Sequence, residues 1–463
     1  MVELRDYTGQ TLAVMGLGKS GMATLAALKN SGARVLVWDD NEAGRDAATK
    51  AGFEITDLAK ADWTKINSLI LSPGIPHTYP EPHPVAALAK KHGVEIIGDV
   101  ELLFRHFKNN APRMVGITGT NGKSTTTALI AHILKSAGRN VEVGGNLGIP
   151  VLSFSQMAPD GFLVIEMSSF QAELTPSAAF DVTVWLNITP DHIDRHGDMQ
   201  GYVNAKKKLL RDAGKKQVFI CGVDDDYSRH VANEAIRGNH WQVTEISSQK
   251  ILPNGLSGVN GDLYKDGEKL FTIKDAKTLP GAHNAQNIAA AFAACHALGV
   301  DTTSIEQAIF TYPGLPHRQQ LVRTITGIRF INDSKATNAD AASKALSCYD
   351  NIYWIAGGKP KDGGLNGLEE FMPRIRHAFL IGQASDDFAS WLNGKTPATK
   401  SGTLEVAIKQ AAALAAKEGK KDAVVLLSPA CASYDQFKSY EHRGDEFVKF
   451  VAALPDNLSK VAA

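Results

Sequence analysis

Met114-Val115-Gly116-Ile117-Thr118-Gly119-Thr120-Asn121-Gly122-Lys123-Ser124-Thr125 decides how this chain is read. A short apolar strand runs into a Gly-rich turn, a lysine and two hydroxyls. Leu129, Ile130, Ile133 and Leu134 follow at the spacing of a helix face. Strand, glycine turn, Lys-Ser and helix is a way to cradle a nucleotide triphosphate. The loop from Thr118 to Gly122 brings backbone N–H groups to the phosphates, Lys123 neutralises the β/γ charge, and Ser124 can hold Mg²⁺. The spacing departs from G-x-x-x-x-G-K-[ST]. Ile117 stands where the first glycine is expected, and the glycine sits three before Gly122, at Gly119. A strand–turn–helix without a ligand is the plain alternative.

The chain has 463 residues, which corresponds to about three domains at roughly 150 residues each. Short apolar strands alternate with helical patterns nearly throughout, so the expected class is α/β with largely parallel sheets. The expected divisions are 1–108, a Rossmann-like nucleotide domain; 109–312, a phosphate-loop ATPase-like parallel sheet; and 313–463, a second Rossmann-like domain. Asn109-Asn110-Ala111-Pro112 reads as a linker, and Tyr312-Pro313-Gly314-Leu315-Pro316 as a joint about which the last domain could swing. A hydrophobic content of 44%, a charged content of 21% and zero net charge are ordinary for a soluble chain. They favour neither nucleic acid nor an anionic membrane. Cys221, Cys295, Cys348 and Cys431 lack metal-ligand spacing and suit a reducing compartment. No export signal or long apolar run is present, so a cytoplasmic protein without membrane insertion is expected.

Gly16-Leu17-Gly18-Lys19-Ser20-Gly21 follows the strand Thr11–Met15 and opens a helix, and Asp39 ends the next strand. Alone this is a dinucleotide fingerprint with an acidic ribose partner. The competing readings are a non-redox nucleotide on the same scaffold, which is favoured, and mere strand–helix packing. A second phosphate loop in the next domain argues against a dehydrogenase. Ser72-Pro73-Gly74 ends another strand and could line the same crevice, outside the strands' carboxyl ends.

In the central domain Glu166 ends the strand Phe162–Ile165, and Asn187-Ile188-Thr189-Pro190-Asp191-His192 follows the strand Val182–Leu186. In a parallel sheet these ends share an edge with Lys123. Glu166 and His192 beside a phosphate loop point to Mg²⁺; a helix cap or salt bridge is the alternative for His192. Lys206-Lys207-Lys208 reads first as a solvated basic face. Lys206, however, has Tyr202, Val203, Leu209 and Leu210 at helical neighbour positions, so it points along the buried stripe. A lysine facing a core usually has a partner or a purpose.

Beyond the phosphate loop, Gly144-Gly145-Asn146, Glu166-Met167-Ser168-Ser169-Phe170-Gln171, Asn187 to His192, and Gly281-Ala282-His283-Asn284-Ala285-Gln286-Asn287 can be quoted together. So can Leu315-Pro316-His317-Arg318, Asn332-Asp333-Ser334-Lys335-Ala336-Thr337-Asn338, and Leu427-Ser428-Pro429-Ala430-Cys431-Ala432-Ser433-Tyr434-Asp435-Gln436-Phe437. In this order, across all three domains, they resemble the Mur ligases, the amide-forming enzymes of peptidoglycan precursor synthesis. The last two runs are similar to the D-glutamate-adding branch. The Asp-Asn-Pro-Arg motif of the diamino-acid-adding branch is missing from the sequence. Folylpolyglutamate synthase shares the ATP core but not the third-domain motif.

The resemblance implies that ATP phosphorylates the carboxylate of UDP-MurNAc-L-Ala, and that D-glutamate then attacks the acyl phosphate. Cell-wall synthesis, and with it cell shape and division, would depend on the product. The resemblance further implies two Mg²⁺ sites, Ser124 with Glu166 and His192 with a carbamylated Lys206. Lys123, His192, Lys206 and Lys335 would be catalytic. Asn284 and Asn287 would lie at the adenine, Arg318 near the ATP phosphates and Asp333 at the ribose. Asn146 and His192 would contact the UDP-sugar, together with the first-domain residues Gly18, Lys19, Ser20, Asp39, Ser72, Pro73 and Gly74. Thr337, Lys361, Ser433 and Tyr440 would hold D-glutamate. Lys361 is preferred to Lys359 because it lies three past the second glycine of Gly357-Gly358. Lys19-Ser20 and Asp40-Asn41 differ from the forms usual in the family. Small-molecule partners only and a monomer are expected. The other readings are a ligase for another acidic amino acid, L-glutamate included; a catalytically silent scaffold, although no ATP or metal position is broken; and a dehydrogenase using NAD(P).

Overall fold

The computed structural model describes residues 1–458 apart from 6, 109, 110, 147, 213 and 362. Asn109 and Asn110 of the expected linker therefore lie outside the described residues. The chain forms two compact units. The first comprises Met1–Asp275 and Asn284–Thr311, and the second Ala276–His283 and Tyr312–Ala463. Among the described residues no helix is long and apolar enough to cross a membrane.

The first unit contains two sheets. The smaller has four strands in the order Arg34–Trp38, Thr11–Met15, Ser68–Leu71 and Glu95–Ile97, all parallel. Ser-Leu-Ile-Leu at 68–71 is buried at every position, as a strand covered on both faces requires. The larger sheet has nine strands. Its parallel centre runs Trp241–Ser247, Gln217–Gly222, Val182–Trp185, Arg113–Thr118, Phe162–Glu166 and Val141–Gly145. Beyond Trp241–Ser247, Leu256–Val259 pairs in parallel. Asp262–Lys265 and Glu268–Thr272 then fold back as an antiparallel meander.

The two sheets share a core. One apolar cluster runs from Leu12, Val14 and Leu25 through Leu102 and Leu103 to Leu152, Phe154 and Ile165. Polar ties reinforce it. The Gly98 N–H donates to the Leu174 carbonyl at 2.8 Å, and the Ser177 N–H to Glu101 Oε2 at 2.9 Å. Residues on the two sheets therefore hold fixed positions relative to each other.

The second unit has one six-stranded sheet, ordered Gln320–Ile325, Ile328–Asn332, Val424–Leu427, Ile352–Gly357, Ile375–Ile381 and Ala398–Gly402. Only the edge strand Gln320–Ile325 is antiparallel. Its two faces bury separate clusters, one around Leu346 and Trp354 and the other around Tyr353, Ile408 and Phe447. The phosphate loop, Gly144–Asn146, Glu166–Gln171, Asn187–His192, Asn332–Asn338 and Leu427–Phe437 fall at the carboxyl ends of parallel strands, where ligands of open α/β sheets lie, whereas Gly281–Asn287 runs into a helix and Leu315–Arg318 precedes the antiparallel edge strand.

Candidate active site

The phosphate loop leaves its strand at Thr118, and the helix Lys123–Ser136 begins directly after Gly122. Gly122 has φ +86°, and a Cβ there would lie 2.3 Å from Asn287 Oδ1, so both the backbone and the space call for glycine. The loop is held from behind. The Thr120 N–H donates to the Asn187 carbonyl at 2.8 Å, and the Asn121 N–H to Asn187 Oδ1 at 2.9 Å. Asn187 Nδ2 in turn donates to Gln286 Oε1 at 2.9 Å. Asn287 accepts from Thr126 Oγ1 at 3.1 Å and donates to Asn284 Oδ1 at 2.9 Å. Asn284 and Asn287 are thus buried against the loop and the start of its helix.

Lys123 Nζ donates to the carbonyls of Gly119 at 3.0 Å and Thr120 at 2.7 Å. Lys206 Nζ reaches the same Gly119 carbonyl at 3.0 Å and Thr118 Oγ1 at 3.4 Å, over the Tyr202 ring. Lys206 is 1% exposed. Burial first, and the charge of Lys123 second, hold its amine well below the ordinary lysine range. The reading of Lys206 as inward-facing agrees with this placement. Lys207 pairs instead with Glu234 at 2.5 Å, at the surface.

Glu166 is buried at the end of its strand, level with Ile117 of the phosphate-loop strand. Its Oε1 accepts from Asn146 Nδ2 at 2.7 Å, while its buried Oε2 has no hydrogen-bond partner among the described residues. A carboxylate oxygen stripped of water and unpartnered is costly, and a cation satisfies it. Ser124 is buried in the first helical turn. No group of three or more His, Cys, Asp or Glu that could enclose a metal occurs among the described residues. One carboxylate and one hydroxyl suit Mg²⁺, which keeps most of its shell for water and phosphate oxygens.

His192 stands at the N-cap of the short helix Ile193–His196 with φ +54°, but its side chain makes no capping bond. Its Nε2 lies 3.4 Å from Asp191 Oδ2. Burial lowers its pKa, so the ring is neutral at neutral pH and available as a donor or a ligand. Its ring packs against Phe170, with centroids 4.9 Å apart.

In the first sheet the Gly16–Gly21 loop, Asp39 and Ser72–Gly74 share one edge. Ser72 Oγ donates to the Gly16 carbonyl at 2.9 Å. Asp39 accepts from the backbone N–H of Leu17 through Oδ2 and from that of Asn41 through Oδ1. Asp39 therefore shapes the loop. Gly18 is the N-cap of the helix that opens with Lys19 and Ser20.

In the second unit Asp333, Lys335 and Thr337 follow the strand Ile328–Asn332, Ser433 follows Val424–Leu427, and Lys361 follows Ile352–Gly357. Asp333 accepts from Ser428 Oγ at 2.8 Å and the Gln319 N–H at 3.2 Å. Burial pushes its carboxyl up to about 7. Lys335 Nζ donates to the Tyr440 hydroxyl at 3.2 Å. Ser433 is buried, its carbonyl accepting from the Phe437 N–H, whereas Lys361 is exposed. Arg318 is half-buried beside this edge, its N–H on the Leu315 carbonyl.

The sequence reading missed Arg443, which is wholly buried. It donates to Ser334 Oγ at 3.0 Å and to the carbonyls of Ser334 at 2.8 Å and Cys431 at 3.1 Å, tying together the two loops that carry Lys335 and Ser433. The available signal was partial: Arg443 shares a helical stripe with Phe447 and Val451, but Ser439 and Glu446 also neighbour it, so the test that singled out Lys206 does not single out Arg443. Asn187, Arg195 and His196 were also missed as structural partners.

Phosphate loop, buried carboxylate and inward lysine on a parallel-sheet edge define a nucleotide-dependent enzyme scaffold. The chain belongs to the Mur ligase family: residues 117–295 match the Mur ligase middle domain, and residues 10–98 the N-terminal domain of MurD-like Mur ligases. It is 49% identical to the UDP-N-acetylmuramoylalanine--D-glutamate ligase of Rhodospirillum rubrum, over 98% of this chain and 97% of that one. The enzyme of the same name from Caulobacter vibrioides is 45% identical over 100% of both chains. Among solved structures, UDP-N-acetylmuramate-alanine ligase MurC from Thermotoga maritima has a TM-score of 0.58 at 17% identity, over 96% of this chain and 99% of that one. The MurF ligase of Thermotoga maritima, in complex with ADP, has a TM-score of 0.55 at 18% identity, over 97% and 95%. These two likenesses bear on the fold.

Proposed function

We propose that this chain is an ATP-dependent amide ligase that joins D-glutamate to UDP-N-acetylmuramoyl-L-alanine, a step in peptidoglycan precursor synthesis. Identity of 45–49% to D-glutamate ligases along essentially the whole chain is the observation that carries this reading. ATP phosphorylates the alanyl carboxylate, giving an acyl phosphate and ADP. The amine of D-glutamate attacks the acyl carbon, and the tetrahedral intermediate collapses to the amide and phosphate.

Bringing a carboxylate to a triphosphate opposes anions, so fixed positive charge and oriented N–H groups are what the protein has to supply. The N–H groups of the 119–122 turn and Lys123 serve that role at the phosphates. Ser124 with Glu166, and His192 with Lys206 as a carbamate, would hold Mg²⁺, which supplies Lewis-acid charge to the phosphate oxygens when bound. Burial supports the carbamate: a neutral amine is the form that adds CO₂. Asn146 holds Glu166 and faces the sugar nucleotide, which the first-sheet loops 16–21 and 72–74 bind together with Asp39. Asn284 and Asn287 set the adenine side, and Arg318, Asp333 and Lys335 approach ATP. Thr337, Lys361, Ser433 and Tyr440 receive D-glutamate; its two carboxylates call for a cation and neutral donors. The three functional territories are 1–108, 109–312 and 313–463, in a monomer working in the cytoplasm with its soluble substrates.

Mass spectrometry of a reaction containing UDP-MurNAc-L-Ala, D-glutamate, ATP and Mg²⁺ tests the reading. A product heavier by one glutamyl residue supports it, and ATP hydrolysis without that product refutes it.

A further inference from the structure

Arg195 lies in the first unit between its two sheets and makes contacts that the reaction scheme does not use. Its Nη1 donates to the Gly74 carbonyl at 2.9 Å. Its guanidinium carbon stands 4.6 Å from the centroid of the Phe170 ring. The same ring packs on His192 at 4.9 Å and stacks on His196 at 5.4 Å and 26°. His196 Nε2 is 2.9 Å from Ser169 Oγ, so the stack is anchored at the start of the short helix Ser169–Glu173 that follows Glu166. On the other side Ser72 Oγ is bonded to the Gly16 carbonyl. A second contact runs alongside: the Tyr79 ring lies 3.6 Å from where a Cβ of Gly197 would stand. One path therefore connects the Gly16 loop, Ser72, Gly74, Arg195, Phe170 and His192.

Stability alone accounts poorly for an arginine here. Its buried Nε has no hydrogen-bond partner among the described residues. An unmatched buried N–H of this kind destabilises the fold. An apolar side chain would pack on Phe170 without that cost. What only arginine supplies is a planar cation that stacks on an aromatic face while its edge donates to a carbonyl.

We propose that Arg195 is a positioning residue that fixes the Ser72–Gly74 loop relative to the His192 turn. A sugar nucleotide seated on the first sheet then presents its acyl end in register with the phosphate loop. This rests on the ligase reading above. Arg195 touches no substrate. Its loss misplaces the sugar nucleotide and leaves ATP and amino-acid binding intact.

Steady-state kinetics of Arg195→Ala test it. The KM for UDP-MurNAc-L-Ala is expected to rise about tenfold, with the KM for ATP and for D-glutamate within about twofold of wild type. Arg195→Lys keeps the donor but not the planar stack and should fall between the two. It also provides the same split where the alanine variant fails to fold. Arg195→Ala combined with Phe170→Leu should be no worse than the poorer single variant, because both cut one path. An unchanged KM for the sugar nucleotide, an equal rise in all three KM values, or multiplicative single effects would each overturn the proposal. A wild-type enzyme without UDP-MurNAc-L-Ala-dependent phosphate release would instead refute the ligase reading.

Discussion

Lys123 and Lys206 donate to one acceptor, the Gly119 carbonyl, each over 3.0 Å. Two ammonium groups cannot share a buried carbonyl without strong repulsion, and burial together with Lys123 depresses the Lys206 amine. Of the two, Lys206 is the amine whose neutral form burial favours. A neutral buried amine beside a phosphate loop is suited to carry CO₂ and act as a carboxylate. Lys206→Ala should therefore lower turnover to below about 1% of wild type. Short carboxylic acids such as acetate should restore part of it. A steady-state rate of the variant equal to wild type would disprove this role.

Glu166 offers one oxygen to Asn146 and keeps the other buried and unpartnered. Glu166→Gln preserves shape and the oxygen that Asn146 uses, but removes the charge. The Mg²⁺ concentration giving half-maximal rate should rise roughly tenfold or more, with the thermal midpoint unchanged or raised. Magnesium titrations of both proteins decide it; superimposable curves count against a cation at Glu166.

Gly122 tests whether the loop tolerates reshaping. A Cβ would stand 2.3 Å from Asn287 Oδ1 on a backbone with φ +86°. Gly122→Ala should cost about 1–3 kcal/mol in denaturant unfolding and weaken ATP binding, because the N–H groups of the turn move with it. Wild-type stability and wild-type ATP affinity together would show that the turn is not fixed in this way.

Asp333 contributes a pH dependence to the stability of the second unit. Its folded carboxyl titrates near pH 7 because of burial, against an ordinary value of 3.8. Between these values the folded state keeps a proton that the unfolded state releases, so this group's contribution to stability falls as pH rises from about 4 to about 7. Asp333→Asn abolishes that slope. Relative to wild type it should gain stability across this window, by about 4 kcal/mol at most at pH 8. Its KM for ATP should rise. Parallel stability–pH curves for the two proteins would contradict the assignment.

The fold was legible because strands such as Phe162–Glu166 and Ser68–Leu71 are short and largely apolar, the signature of parallel strands buried on both faces. The meander Leu256–Thr272 escaped, although its signals were present. Asn260-Gly261 and Asp266-Gly267 stand at its two turns, and both pairs have positive φ. Lys206 was legible because its helical neighbours are all apolar. Arg443 fails that test, because Ser439 and Glu446 stand among its helical neighbours, and its burial follows from carbonyls on two distant loops. The Arg195–Phe170 stack lies beyond any local pattern. From the short helix Ile193–His196 the same arginine reaches the Gly74 carbonyl, 121 residues earlier, and sequence spacing carries no information about that meeting.

The requirement for the amino acid is the decisive measurement. Phosphate release from ATP, followed with UDP-MurNAc-L-Ala present and D-glutamate, L-glutamate or no amino acid added, reports the whole reaction. Release with D-glutamate, and background with L-glutamate or with none, is the expected result. Equal release with L-glutamate, or release that ignores the amino acid, would contradict it.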